Sequence, residues 1–87
     1  MKVLVIQNCK TEGVGLYENY LRERRIAFDV FHAYTNRRFP PLKQYNVIIV
    51  GGTPISAYTI DQYPFLKKEW RYLQRAIIEN KPCFGIC

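Results

Sequence analysis

Four β-branched residues in a row, Val47–Val50, are followed at once by Gly51 and Gly52. A run of this kind is typical of a strand buried on both faces, because a strand with one exposed face alternates apolar and polar residues. Doubly buried strands belong to parallel sheets that helices cover on both sides. We therefore expect the rest of the chain to supply further short strands with helices between them.

Short apolar runs do alternate with helical periodicity along the chain. The other predicted strands are Lys2–Gln7, Ala27–Ala33 and Cys83–Ile86. One predicted helix runs from Glu12 to Arg25, and a second, beginning near Pro64, carries an apolar stripe of Leu66, Trp70, Leu73 and Ile77. The alternation predicts an α/β protein with a flavodoxin-like parallel sheet, helices on both faces and the strand order 2-1-3-4. No helix follows the fourth strand, so we expect this architecture to be incomplete in the chain.

Length and composition limit the possible classes of protein. The 87 residues allow one small domain, and 48% of them are apolar, which is enough for a core. The apolar runs are too short to span a bilayer, and the N-terminus lacks the features of a signal peptide. We expect a cytoplasmic protein with no membrane partner.

The net charge of +6 lies in small basic clusters such as Arg37–Arg38 and Lys67–Lys68. No nucleic-acid-binding motif accompanies them, so we interpret them as solvated surface with acidic neighbours such as Glu23 and Glu69, and expect no nucleic-acid partner. The three cysteines form no CxxC pair and the single histidine, His32, is distant in sequence. This pattern predicts neither a metal site nor a disulfide framework.

Three stretches lie at the carboxyl ends of predicted strands, where ligands bind in open α/β sheets: Asn8–Gly15, Gly51–Ser56 and Cys87. Gly13-Val14-Gly15 lacks the third glycine of a dinucleotide fingerprint, because residue 18 is Glu18, and it is interpreted as a turn. Gly51 and Gly52 leave backbone N–H groups available for half of an oxyanion hole. Gly85-Ile86-Cys87 fits the first half of a nucleophile elbow, although these residues equally fit an ordinary buried cysteine.

In their order and spacing, these stretches resemble class I glutamine amidotransferases, most of all the stand-alone members similar to the amidotransferase half of GMP synthetase. The segment Lys81–Cys87 (KPCFGIC) resembles the family's KPVLGIC, whose cysteine is the nucleophile. The other matching segments are Glu12–Gly15 (EGVG against EGPG), Phe39–Leu42, Val47–Gly52, Pro54–Tyr58 (against PMSVY) and Asp61–Leu66 (against DEYPWL). The chain departs from the family at Thr53, inserted between Gly52 and Pro54, and at Gln7–Asn8, where many relatives have histidine.

The resemblance implies an enzyme whose cysteine attacks the side-chain amide of glutamine, giving a thioester and ammonia. It implies that Cys87 is the nucleophile and that the Gly52 N–H, on the loop with Gly51, is an oxyanion donor. It implies glutamine as substrate, no cofactor, and a synthetase domain or subunit that accepts the ammonia. The family's second oxyanion donor and its catalytic His and Glu lie beyond the nucleophile. Residues 1–87 are thus expected to be the N-terminal part of one amidotransferase domain, inactive alone.

Two other classes of protein fit parts of the pattern. A different cysteine-elbow hydrolase, such as a γ-glutamyl hydrolase or a DJ-1-like protein, shares the fold and the strand-to-cysteine turn. A non-catalytic flavodoxin-like binding module would share only the fold. Residues following Cys87 would distinguish these classes, because amidotransferases continue with glycine and later a His-x-Glu pair.

Overall fold

The computed structural model describes residues 1–10, 15–35, 37–52 and 63–85. The strands are β1 (Lys2–Gln7), β2 (Ala27–His32), β3 (Val47–Val50) and β4 (Cys83–Gly85), and the helices are α1 (Gly15–Glu23) and α2 (Pro64–Ile78). Two short 3₁₀ turns, Ala33–Thr35 and Leu42–Gln44, lie between β2 and β3. Every predicted strand and helix is present, although β2 is one residue shorter than expected because Ala33 begins the first turn.

The four strands form one parallel sheet in the order β2-β1-β3-β4, which confirms the predicted fold class and topology. The registers pair Val3 with Phe28 and Val47, and Val50 with Gly85. Because all strands run the same way, their carboxyl ends lie at one edge of the sheet. The residues that follow β1 and β3 therefore share that edge.

Each helix is followed, two residues after its last residue, by a residue with a left-handed backbone. Arg25 has φ 55° and Asn80 has φ 59°, a conformation that a right-handed helix cannot continue. The following residues turn back onto the last helical turn: the Ile26 N–H donates to the Leu21 carbonyl at 2.9 Å, and the Lys81 N–H donates to the Ala76 carbonyl at 2.9 Å. These caps explain why α1 stops at Glu23 rather than at the predicted Arg25.

The two faces of the sheet are buried to different extents. One face packs against α2 through Leu4, Ile6 and Ile48, each fully buried. The other face buries Val3 and Val5 against α1, which contributes the buried side chain Leu21. Within Val47–Val50 only Ile48 is fully buried and the other three residues are half-buried. The prediction of a run buried on both faces was therefore wrong for three of its four residues: Val47 and Ile49 are half-buried on the face that the short helix α1 covers, and Val50 is half-buried on the α2 face.

The apolar face of α2 is also rotated from the predicted stripe. Trp70 and Ile77 were expected in the core but are 59% and 65% exposed. The buried residues of the helix are Phe65, Leu66, Glu69, Tyr72 and Ala76. Trp70 and Ile77 follow the buried positions Glu69 and Ala76 by one residue each, so the true face lies one residue earlier. Glu69 therefore lies on the buried face of α2, in the place that the apolar pattern predicts for Trp70.

Replacing Ile48 by alanine is expected to lower the free energy of unfolding by about 2–5 kcal/mol, because it empties a site at the centre of the larger core. Ile78, 79% exposed at the end of α2, is the matched control. Ile78→Ala should change stability by no more than about 0.5 kcal/mol. Urea titrations of the two variants make the comparison. Equal losses would contradict the placement of Ile48 in the core.

Candidate active site

The carboxyl edge of the sheet brings polar groups together after β1 and β3. Asn8 follows β1 directly, and Gly51 and Gly52 follow β3. Asn8 and Gly51 are buried, and Gly52 is partly exposed. Because β1 and β3 are neighbours, the side chain of Asn8 lies beside the backbone of Gly51. The predicted Gly51–Gly52 loop therefore lies at the edge where ligands bind in this fold.

Gly51 is fixed to β1 through both of its backbone groups. Its N–H donates to the Ile6 carbonyl at 2.8 Å, which continues the ladder between β1 and β3 by one residue. Its carbonyl accepts a hydrogen bond of 2.8 Å from Nδ2 of Asn8. The side chain of Asn8 thus supplies the next hydrogen bond to β3 at the point where the backbone ladder ends.

The same nitrogen of Asn8 also donates to Oε2 of Glu69, at 3.2 Å. Glu69 lies on the buried face of α2 and is only 7% exposed, while Asn8 is 4% exposed. Among the described residues, Oδ1 of Asn8 and Oε1 of Glu69 have no hydrogen-bond partner. A buried polar atom without a partner costs about 1–3 kcal/mol, so this pair is not explained by stability alone.

Burial raises the pKa of Glu69 from its ordinary value of 4.5 to about 7, against the smaller opposing effect of the hydrogen bond from Asn8. Near neutral pH the carboxyl group therefore holds a proton in a fraction of molecules. The protonated acid can donate a hydrogen bond, which the carboxylate cannot. The prediction that Glu69 lies on the solvated surface is wrong, because the residue faces Asn8 from the core side of α2.

The stability of the protein should depend on pH through Glu69. In the unfolded chain the group ionises near pH 4.5, while in the folded protein it stays protonated to about pH 7. The stabilisation is therefore complete below pH 4.5 and is lost as pH rises to about 7, a loss of about 3 kcal/mol. The neutral variant Glu69→Gln should lack this loss and be the more stable protein at pH 8.

Urea titrations from pH 4.5 to pH 8 measure this difference. Glu23→Gln removes the same charge from an exposed position at the end of α1 and serves as the control. If wild type and Glu69→Gln lose stability in parallel across the interval, the carboxyl group of Glu69 is not the one responsible.

The other predicted site residues are not all within the described part of the chain. Cys87 lies outside it, as do Thr53 and the Gly13–Val14 pair, so the roles of Cys87 as nucleophile and of the Gly52 N–H as oxyanion donor stay predictions. Cys83 is partly buried on β4, its Sγ lies 3.4 Å from the Lys81 carbonyl oxygen, and burial raises the pKa of its thiol. Burial thus favours the thiol of Cys83 over its reactive thiolate.

Metal-binding clusters and membrane-spanning helices are both absent from the described residues. Residues 1–10, 15–35, 37–52 and 63–85 contain no group of three or more His, Cys, Asp or Glu that could hold a metal ion. In the same ranges, neither helix has the length and apolar character needed to cross a membrane.

A second concave surface lies between the segment leading into β3 and the helix α2. This basic groove has a volume of about 860 Å³, and its lining includes the aromatic residues Phe39 and Tyr72. Its charged lining residues are Arg38, Lys43, Lys68, Arg71, Arg75 and Glu79. None of Asn8, Gly51 and Glu69 lines it, so these cations are not part of the site at the carboxyl edge.

The parallel sheet and the polar groups at its carboxyl edge define an α/β protein of the flavodoxin-like class, with a candidate ligand site after β1 and β3. A solved structure of a glutamine amidotransferase from Thermotoga maritima matches the whole chain, with 30% sequence identity and a TM-score of 0.88. A glutamine amidotransferase from Methylobacillus flagellatus matches 99% of the chain with 24% identity and a TM-score of 0.86, and the protein SMU.1228c matches all of it with 22% identity and a TM-score of 0.85. No protein-family model and no curated protein matches the sequence.

The resemblance to glutamine amidotransferases is therefore confirmed over the full length of the chain, and the two less similar structures support the fold alone. The chain spans 38% of the Thermotoga protein, 39% of SMU.1228c and 34% of the Methylobacillus protein. More than half of each of these solved chains thus has no counterpart among the 87 residues.

Proposed function

We propose that these residues form part of a glutamine amidotransferase, which releases ammonia from glutamine through a thioester on Cys87. The observation that carries the proposal is the match of the entire chain to the Thermotoga maritima glutamine amidotransferase at 30% identity. The segment Lys81–Cys87 adds the family's motif around its nucleophile. Because the chain spans only 38% of that protein, the activity is proposed for the complete protein that contains these residues.

In the proposed reaction, the Cys87 thiolate attacks the side-chain carbonyl carbon of glutamine, and the carbonyl oxygen becomes an oxyanion. The Gly52 N–H donates a hydrogen bond to that oxygen. Collapse of the intermediate breaks the carbon–nitrogen bond, the nitrogen leaves as ammonia after gaining a proton, and a thioester remains. Water then attacks the thioester, and glutamate and the thiol are released. A base outside the 87 residues is needed for the proton transfers.

The strand register supports this pairing of groups. Val50 of β3 is opposite Gly85 of β4. Gly52 is two residues beyond Val50, and Cys87 is two residues beyond Gly85. A nucleophile and an oxyanion donor must reach the same carbonyl group, and equal offsets from paired residues of neighbouring parallel strands favour this arrangement.

We further propose that a synthetase domain or subunit consumes the ammonia, because free ammonia would otherwise be the end product. A cytoplasmic setting is proposed, since there thiols stay reduced. No cofactor and no metal takes part in the proposed reaction. Nucleic-acid and membrane partners have no part in it either.

The complete protein should release glutamate and ammonia from glutamine in equal amounts. A γ-glutamyl hydrolase would instead prefer a γ-glutamyl peptide over free glutamine, and a binding module or a DJ-1-like protein would release glutamate from neither. Glutamate production from glutamine and from γ-glutamylglycine therefore separates the alternatives. Faster cleavage of the peptide than of glutamine would count against an amidotransferase.

A further inference from the structure

The hydrogen bond from Asn8 to Gly51 has a directional consequence for Gly52. The carbonyl of Gly51 and the N–H of Gly52 belong to one peptide unit, and in a trans peptide these groups point in opposite directions. No cis peptide bond occurs among the described residues. The Gly51 carbonyl points toward Asn8, on the β1 side of β3. The Gly52 N–H must therefore point to the opposite side of β3, where β4 lies.

We propose that Asn8, itself held by Glu69, is a positioning residue that locks the Gly51–Gly52 peptide with the Gly52 N–H facing β4. This inference rests on the proposed function, in which that N–H stabilises the oxyanion. Asn8 touches neither substrate nor nucleophile in this account. It acts through the peptide that it holds.

A peptide between two glycines needs such a lock more than other peptides do. Glycine has no Cβ, so rotation of the unit between Gly51 and Gly52 meets little steric resistance. The N–H of Gly51 is already bound to Ile6, but this bond lies on the preceding peptide unit. On the unit that carries the donor, the hydrogen bond at 2.8 Å to Asn8 is the one that fixes the carbonyl.

The burial of the pair supports a role of this kind. Asn8 and Glu69 are each more than nine-tenths buried, and one oxygen of each has no partner among the described residues. Apolar residues of similar volume would carry no unpaired side-chain atoms, but they would leave the Gly51 carbonyl without its donor. Departures from a well-satisfied core are expected at functional sites, where geometry rather than stability decides the residue.

The variant Asn8→Ala in the complete protein tests the proposal. An oxyanion donor contributes about 10²–10³-fold to kcat, and loss of its anchor should remove part of this, so kcat should fall about 10- to 100-fold. KM for glutamine should stay within about twofold, because the donor acts mainly in the transition state. Active sites are titrated with diazo-oxo-norleucine, so that kcat refers to folded, reactive protein only.

Tyr72→Phe is the matched structural control. It removes a hydrogen bond of the same length, from the Tyr72 hydroxyl to the Pro40 carbonyl, on the same buried face of α2. It should lower stability and leave kcat per titrated site unchanged. If Asn8→Ala behaves like Tyr72→Phe, or raises KM with kcat unchanged, Asn8 is not a positioning residue.

A double-mutant cycle tests the part played by Glu69. Glu69→Ala should lower kcat per site by itself, because Asn8 loses a partner, but should lower it little further in the Asn8→Ala background. If the two substitutions lower kcat independently, so that the fold-losses multiply in the double variant, Glu69 does not act through Asn8.

A measurement that does not depend on activity keeps the inference separate from the proposed function. In protein with isotope-labelled glycine, Asn8→Ala should shift the amide resonance of Gly52 and speed hydrogen exchange at Gly51, whereas Tyr72→Phe should do neither. If wild type releases no glutamate but these changes occur, the proposed function fails and the lock stands. Unchanged resonances would overturn the lock itself.

Discussion

Replacing Cys87 by alanine in the complete protein should lower kcat for glutamine hydrolysis by at least about 10⁴-fold, because in the proposed reaction the thioester forms on its sulfur. The loss should appear with little change in the free energy of unfolding. Glutamate release, measured per folded protein by a coupled assay, gives the comparison. Cys87→Ser should be nearly as inactive, since a hydroxyl is a much weaker nucleophile than a thiolate at neutral pH.

Cys83 is the matched control for this variant. It lies four residues earlier, is partly buried on β4, and has a raised pKa that keeps it a thiol. Cys83→Ala should therefore reduce stability slightly and leave kcat unchanged. If Cys83→Ala loses activity and Cys87→Ala retains it, then Cys83 is the nucleophile and our assignment of this role to Cys87 is wrong.

The 87 residues produced alone should turn over glutamine at least about 10⁴-fold more slowly than the complete protein. General acid–base help contributes about 10²–10⁴-fold, and a second oxyanion donor about 10²–10³-fold. The only histidine, His32, ends β2, which is separated from β4 by β1 and β3. With strands about 4.8 Å apart, β2 and β4 are roughly 14 Å apart, too far for proton transfer to a thiol that follows β4.

A comparison of the two proteins at equal molar concentration tests this expectation, with circular dichroism to establish that the short chain is folded. His32→Ala in the complete protein is the control, and it should retain full activity. Turnover by the folded 87-residue chain, abolished by Cys87→Ala, would show that these residues contain a sufficient site and that our account of the base is wrong.

The fold could be predicted from sequence because its main signals are local. Runs such as Lys2–Gln7 and Val47–Val50 are short, rich in β-branched residues and separated by helical periodicity, and parallel strands then admit few connections. The extent of burial could not be predicted in the same way. Whether Val47 is covered depends on the length of α1 across the sheet, which no local pattern around Val47 contains.

The candidate site was predicted only in part, for a related reason. Gly51 and Gly52 were found because glycines directly after a buried strand are a local signal. The sequence marks Asn8 only as a position where many relatives have histidine, and its charge pattern predicts that Glu69 lies on the surface. A signal for Glu69 did exist: it lies three residues after Leu66 and three before Tyr72, and so on their face of the helix. Its partner is 61 residues away in sequence, which periodicity cannot detect.

The central claim is that Cys87 is a nucleophile that reacts with the side-chain carbonyl of glutamine. Incubating the complete protein with diazo-oxo-norleucine and mapping the adduct by mass spectrometry tests it most directly, because the reagent mimics glutamine and alkylates the attacking thiolate. We predict one adduct per chain, on Cys87, formed more slowly when glutamine is present. An adduct on Cys9 or Cys83, or labelling of Cys87 that glutamine does not slow, would contradict the account.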